Sequence, residues 1–294
     1  MKTPNLDSTI ETIAQARLDR RKFFRQAGML GLGAAASTVM LGTLPARAQA
    51  TVQSEDTTAE ILTAFLIAED LATTFYYHGL IGPVIQNVNL AGPGGSATHV
   101  TSSGNAGNVN YLQAALTQEI EHANLFRLGL TGSASGSGKD PYQTFYFPNG
   151  TFNTLPAFLG ILNALEDAFI GAYITVIQEF AAKAALARSG GLQGADRKFS
   201  AANYELFAKV ASSILGIESE HRVLGRVIGN ENPANNLGFE QTDGLTSIYN
   251  GQHSAVVALT PFLTPSTGPG HSLQTALDNA GSVSLPVTGG PPTS

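Results

Sequence analysis

Gln118-Glu119-Ile120-Glu121-His122 and its echo, Ile217-Glu218-Ser219-Glu220-His221, decide how this chain is read. In each, a Glu precedes a His by three residues inside an apolar run that reads as helix. On an α-helix, positions i and i+3 share a face about one turn apart. Glu119 with His122, and Glu218 with His221, can therefore grip one metal ion as a pair. A carboxylate oxygen and a neutral imidazole nitrogen suit iron, manganese or zinc.

Each pair is preceded by a second helical stretch with a Glu among apolar residues, Phe65-Leu66-Ile67-Ala68-Glu69-Asp70 and Asn163-Ala164-Leu165-Glu166-Asp167. The order Glu, Glu-x-x-His, Glu, Glu-x-x-His is the donor set of carboxylate-bridged dimetal four-helix bundles. The halves repeat elsewhere too. Tyr76 and Tyr173 each lie seven residues beyond their Glu, and Arg127 and Arg226 each lie five beyond their His. Buried carboxylates in apolar helices are costly unless paired or metal-bound, so four of them with two matching His point to a metal site rather than to core packing.

These motifs make the chain resemble the ferritin-like superfamily, in its secreted, desiccation-related branch, over roughly Glu55 to Asn230. The resemblance implies an all-α, ferritin-like four-helix bundle with a long crossover between helices two and three and a loop-rich C-terminal extension. It implies Glu69 and Glu166 as terminal ligands, Glu119 and Glu218 as bridges, and His122 and His221 on one ion each. Two iron ions are the expected cofactor, with two manganese ions as the alternative, and O2 or peroxide as the substrate held between them. Three functions follow: a di-iron oxidase or peroxidase, a dimanganese catalase, or a non-enzymatic metal-binding stress protein. A multi-subunit iron-storage cage is disfavoured, because the Gly-rich loops and the extension would obstruct its packing. A smaller oligomer stays open.

Around the ligands, Tyr76 and Tyr173 are candidate hydrogen-bond or one-electron donors, with plain core aromatics as the alternative. Asp70 and Asp167 either orient a neighbouring His or, equally, face solvent or pair helices. Glu121 and Glu220 are read as salt-bridging or as supporting the ligands rather than ligating, and Arg127 and Arg226 are expected to pair with these acids. His99 reads as a solvated loop residue. His78, His253 and His271 lack partners at ligand spacing and read as non-functional.

Composition narrows the classes. Of 294 residues 43% are hydrophobic and only 13% charged, with 32 Gly, which fits one bundle with long loops. There is no cysteine, so a metal must be held by O and N ligands. The first fifty residues hold seven of the 16 Lys and Arg and three of the 22 Asp and Glu, leaving 9 basic against 19 acidic. With no basic patch beyond them, nucleic-acid binding is disfavoured.

Residues 1–50 read as a signal peptide. Arg20-Arg21-Lys22-Phe23-Phe24 carries a twin arginine, residues 26–46 are uncharged, and Ala46-Arg47-Ala48 and Ala48-Gln49-Ala50 offer small-x-small cleavage sites. The expected location is periplasmic or secreted, in a bacterium, with no membrane span left after cleavage. Residues 51–232 are assigned to the bundle and 233–294 to the extension, with one extra helix between Asp243 and Leu263 and a loosely structured last thirty residues.

Four helices are expected. The first starts at a cap among Ser54, Asp56 and Thr57 and ends at Gly79 and Gly82-Pro83. The second covers about 108–130, the third about 155–188 and the fourth about 200–228. Between the second and third, about twenty residues can span the roughly 30 Å of a bundle, as parallel second and third helices require. Leu285-Pro286-Val287-Thr288-Gly289 matches a sortase-type sorting signal, but without the apolar span and basic end of such signals it is read as coincidence.

Overall fold

A computed structural model describes residues 56–134, 136–234, 247–252 and 254–286. Residues 1–55, on which the signal-peptide reading falls, His253 and the sorting-type motif beyond Pro286 lie outside the described residues.

Four long helices carry the architecture: α1 Thr58–Ile81, α2 Ala106–Thr131, α3 Leu155–Ser189 and α4 Ala201–Ile228. Their ends follow local chemistry. Thr57 caps α1 in a capping box with Glu60, and Ser200 does the same for α4 with Asn203. Asn105 and Thr154 cap α2 and α3, the latter with Pro156 in the first turn. Gly132 and Gly190 stop α2 and α3 in the left-handed conformation that glycine adopts at little cost.

One boundary differs from the sequence reading. Gly79 does not end α1; the helix runs through it to Ile81. Glycine is needed there for contact, since a Cβ would sit 2.5 Å from the Phe158 ring of α3.

Neighbouring ends fix the helix directions. Gly79 of α1 meets Phe158 near the start of α3, Gly129 of α2 meets Leu62 near the start of α1, and Gly229, just past α4, meets Leu159. The start of α3 therefore lies at the opposite end of the bundle from the end of α2. The two run parallel, and residues 132–154 make the long return. On the way Thr144–Tyr146 (β1) pairs antiparallel with Gly270–Ser272 (β2), placing Phe145 opposite His271.

The extension is more ordered than its composition suggests. Ala255–Leu259 (α5) packs on α1 and α3, and Leu273–Ala280 (α6) packs on α1 with Leu273, Ala276 and Ala280 buried. Gln113 Nε2 donates to Val283 O at 2.8 Å, and Thr117 Oγ1 donates to Leu285 O at 2.6 Å. The expectation of a loose final thirty residues fails over 270–286, because long-range pairing and the buried Leu273, Ala276, Ala280 and Val283 hold this segment.

The bundle interior divides into two apolar clusters. One gathers Phe75, Leu80, Leu112, Phe158 and Leu162 with the extension, and the other gathers Ile61, Phe65, Phe126, Val176 and Phe180. Burying side chains of this size stabilises by about 1.5–3 kcal/mol each. On α2 and α4 the Glu and His of the repeated motif fall where one cluster gives way to the other. The helix α3 is long and apolar enough to cross a membrane, but 56% of the relevant window is buried within the fold, as expected of a core helix.

Candidate metal centre

Each of the four helices delivers one Glu to a common buried cluster, and α2 and α4 each add a His one turn further on. The six predicted residues come together. Glu69, Glu119, His122 and Glu218 form one group of donors, and Glu119, Glu166, Glu218 and His221 form another, with the donor atoms of each group within 4.8 Å of one another. Glu119 and Glu218 belong to both. All four Glu and His221 are at most 1% exposed.

Both imidazoles turn Nδ1 inward. His122 Nδ1 lies 3.3 Å from Glu69 Oε2, 3.4 Å from Glu218 Oε1 and 3.7 Å from Glu119 Oε2. His221 Nδ1 lies 2.9 Å from Glu119 Oε1, 3.5 Å from Glu218 Oε2 and 3.9 Å from Glu166 Oε1. Both oxygens of Glu119 and of Glu218, together with Glu166 Oε2 and His221 Nδ1, are buried without a well-formed hydrogen bond. Leaving so many polar atoms orphaned would cost several kcal/mol, at about 1–3 kcal/mol per group. Cations would satisfy them, and the oxygen and imidazole donors match what iron, manganese or zinc accept.

Electrostatics say the same. Burial, reinforced by Glu119, pushes the Glu69 carboxyl well above its usual range, and burial with Glu218 does the same to Glu166. Burial also opposes charge on Glu119, but the His221 and His122 imidazoles beside it outweigh burial and hold Glu119 well below the ordinary carboxylate value. Burial works against protonated His122 and His221, yet the surrounding carboxylates overcome it and raise both. The cluster thus holds protons where cations would sit.

The two Tyr reach across the bundle. Tyr76 of α1 donates to Glu166 Oε1 of α3 at 2.6 Å, and Tyr173 of α3 donates to Glu69 of α1. Burial, with those carboxylates beside them, raises both phenols well above 10, so both stay protonated as donors. Tyr173 also stacks on Phe65 at 4.4 Å between ring centroids.

Several assignments around the ligands change. Asp70 and Asp167 pair helices rather than orienting a His. Arg127 Nη2 lies 3.1 Å from Asp70 Oδ1 and 2.7 Å from Asp140 Oδ2, so that α1, α2 and the crossover meet at one buried guanidinium. Asp167 pairs with Arg222 at 3.1 Å, not with Arg226, whose 3.9 Å contact is to Glu231. Glu121 and Glu220 are exposed, and their expected pairing with Arg127 and Arg226 is not formed. His99 is an exposed loop residue.

Gln118 and Asp140 carry roles that the sequence pattern does not single out. Gln118 Oε1 lies 2.9 Å from His221 Nε2. The signal for it was a break in the repeat, since the second motif has Ile217 at the same place. Nothing local marks Asp140, which sits in a polar linker.

Residues 57–198 match the family model described as the ferritin-like domain. No curated protein and no solved structure matches the chain. The matched span covers the first three helices, and α4 completes the set with Glu218 and His221. The all-α bundle with its long crossover agrees with the ferritin-like domain that residues 57–198 match.

Proposed function

We propose that this protein is an exported, carboxylate-bridged dinuclear oxidoreductase, taking two iron ions and reacting with O2 or peroxide in a stress-protective role of the desiccation-related kind. The observation that carries the reading is the overlap of two four-donor groups through Glu119 and Glu218, in a seam where their oxygens have no other partner. When bound, a pair of iron ions supplies two electrons to O2 or peroxide. The chain's own residues do the rest. Glu119 and Glu218, which belong to both donor groups, would be the residues that hold both ions. Glu69 and Glu166 close the ends, each with one oxygen held by a Tyr hydroxyl. Tyr76 and Tyr173 keep their protons and supply no base. Phe65, stacked on Tyr173, and Phe126 beside it back the Tyr173 end of the cluster with buried apolar surface. Export after folding, which the twin arginine supports, lets the metal be loaded inside the cell first.

The test is metal content on protein purified from the periplasm of its own host, beside Glu119→Ala and His221→Ala variants, followed by O2 and peroxide consumption. Two irons per chain, lost in both variants, with turnover of either oxidant, are expected. Two manganese ions with peroxide disproportionation would move the protein to the catalase reading. A folded, metal-free wild type would end both enzyme readings and leave a structural stress-protein role.

A further inference from the structure

The two halves of the cluster match in carboxylates and in Tyr hydroxyls, but not in their imidazoles. His221 is 1% exposed, and its Nε2 lies 2.9 Å from Gln118 Oε1. An imidazole that turns Nδ1 to a cation carries its proton on Nε2. The Gln118 carbonyl accepts that proton's hydrogen bond, fixing both the tautomer and the ring plane. The side chain of His122 is 12% exposed, and its Nε2 has no hydrogen-bond partner among the described residues. Under the pseudo-twofold that relates α2 to α4, the residue matching Gln118 is Ile217, which offers no polar atom.

We propose that the two positions hold their ions unequally, with the His221 half retaining its ion, the His122 half exchanging it, and Gln118 as the positioning residue that makes the difference. The inference rests on the metal-binding reading above. An ion leaves when a ligand swings away and water takes its place. His221 is buried and tethered at its far nitrogen, so that step is slow. His122 borders solvent and is untethered, so its ring turns out and water enters. The same opening admits a replacement ion.

The test loads the whole chain with Co(II), adds excess EDTA, and follows retained cobalt by absorbance and by mass spectrometry. Wild type is expected to lose one ion quickly and one slowly. Gln118→Leu should accelerate the slow phase, by about 10- to 100-fold if it follows the usual loss for such outer partners. Gln118→Glu, which keeps an acceptor oxygen, should preserve that phase. Ile217→Gln should slow the fast phase by giving His122 the tether it lacks. If Gln118→Leu fails to fold, the Ile217→Gln arm still decides the matter. Two ions lost at one rate, or a slow phase indifferent to Gln118→Leu, would overturn the inference while leaving the metal site standing. A wild type that binds no cobalt would remove the metal-binding reading and the inference together.

Discussion

Tyr76 hydrogen-bonds to Glu166 of the opposite half at 2.6 Å and leaves Glu69 of its own helix to Tyr173. The exchange ties α1 to α3 on both sides of the cluster, and α1 and α3 contribute no His. Without these hydroxyls the two terminal carboxylates would depend on the ions alone for their orientation.

Tyr76→Phe and Tyr173→Phe should each weaken metal binding by about 10- to 100-fold, the usual loss when a ligand's outer partner is removed. Each should also destabilise the metal-free fold by about 1–3 kcal/mol, because a buried carboxyl loses its donor. Metal titration and urea unfolding check both. If Phe at either position leaves metal affinity unchanged, the hydroxyls are packing ornaments and the orienting role is wrong.

The protonation pattern gives a second prediction. Glu69 and Glu166 have folded values above 4.5, and His122 and His221 have folded values above 6.5. The folded metal-free protein therefore binds more protons than the unfolded chain in this range, and its stability is lost as pH rises through the folded values. Glu119, held low, titrates only in strong acid and does not alter this sign. Metal must displace these protons, so affinity should rise with pH and loading should release protons. Calorimetry of loading in two buffers of different ionisation enthalpy measures the release directly. Identical heats in both buffers would contradict it.

Asp56 supports a third. Its carboxylate, 1% exposed, accepts from the backbone N–H of Ile248, Tyr249 and Asn250 and from Asn250 Nδ2, at 2.7–2.9 Å. This fastens the segment leading into α5 to the start of α1. Asp56→Ala leaves several donors without their charged acceptor and should cost about 3 kcal/mol, at about 1.5–3 kcal/mol per such bond with partial recovery by water. Thermal melts and proteolysis of the 247–259 segment would show it; protection equal to wild type would mean that apolar packing alone holds the segment.

What was legible in the sequence was what repeats locally. The Glu-x-x-His pairs, the lone Glu of Glu69 and Glu166, and the caps at Thr57 and Ser200 all declare themselves within one or two helical turns. So does the length of the crossover. What escaped depends on which surfaces face each other. Residues 144–146 and 270–272 become strands through each other, across more than a hundred residues. Asp167 takes Arg222 rather than Arg226 because α4 turns the former toward α3, although Arg226 keeps the tidier spacing. Gln118 lies on the same helix as His122 and yet serves His221 of α4.

The last prediction concerns two His outside the cluster. The rings of His78, near the end of α1, and His271, in β2, pack at 4.2 Å between centroids among Phe147 and Phe152. Burial, with His271 alongside, lowers His78 from 6.5 to about 4, and burial lowers His271 as well. Here the unfolded chain binds more protons than the folded one. Stability is therefore complete above pH 6.5 and falls as pH drops from 6.5 toward about 4. This slope is opposite to that of the cluster's raised groups, so below pH 6.5 the stability of the metal-free protein is the difference between the two contributions. His78→Phe keeps an aromatic ring in the Phe75, Phe147 and Phe152 environment while removing the titrating nitrogen. It should flatten the acid limb of a plot of Tm against pH and leave the alkaline limb in place. An acid limb unchanged in His78→Phe would assign that loss to the cluster or to other carboxylates instead.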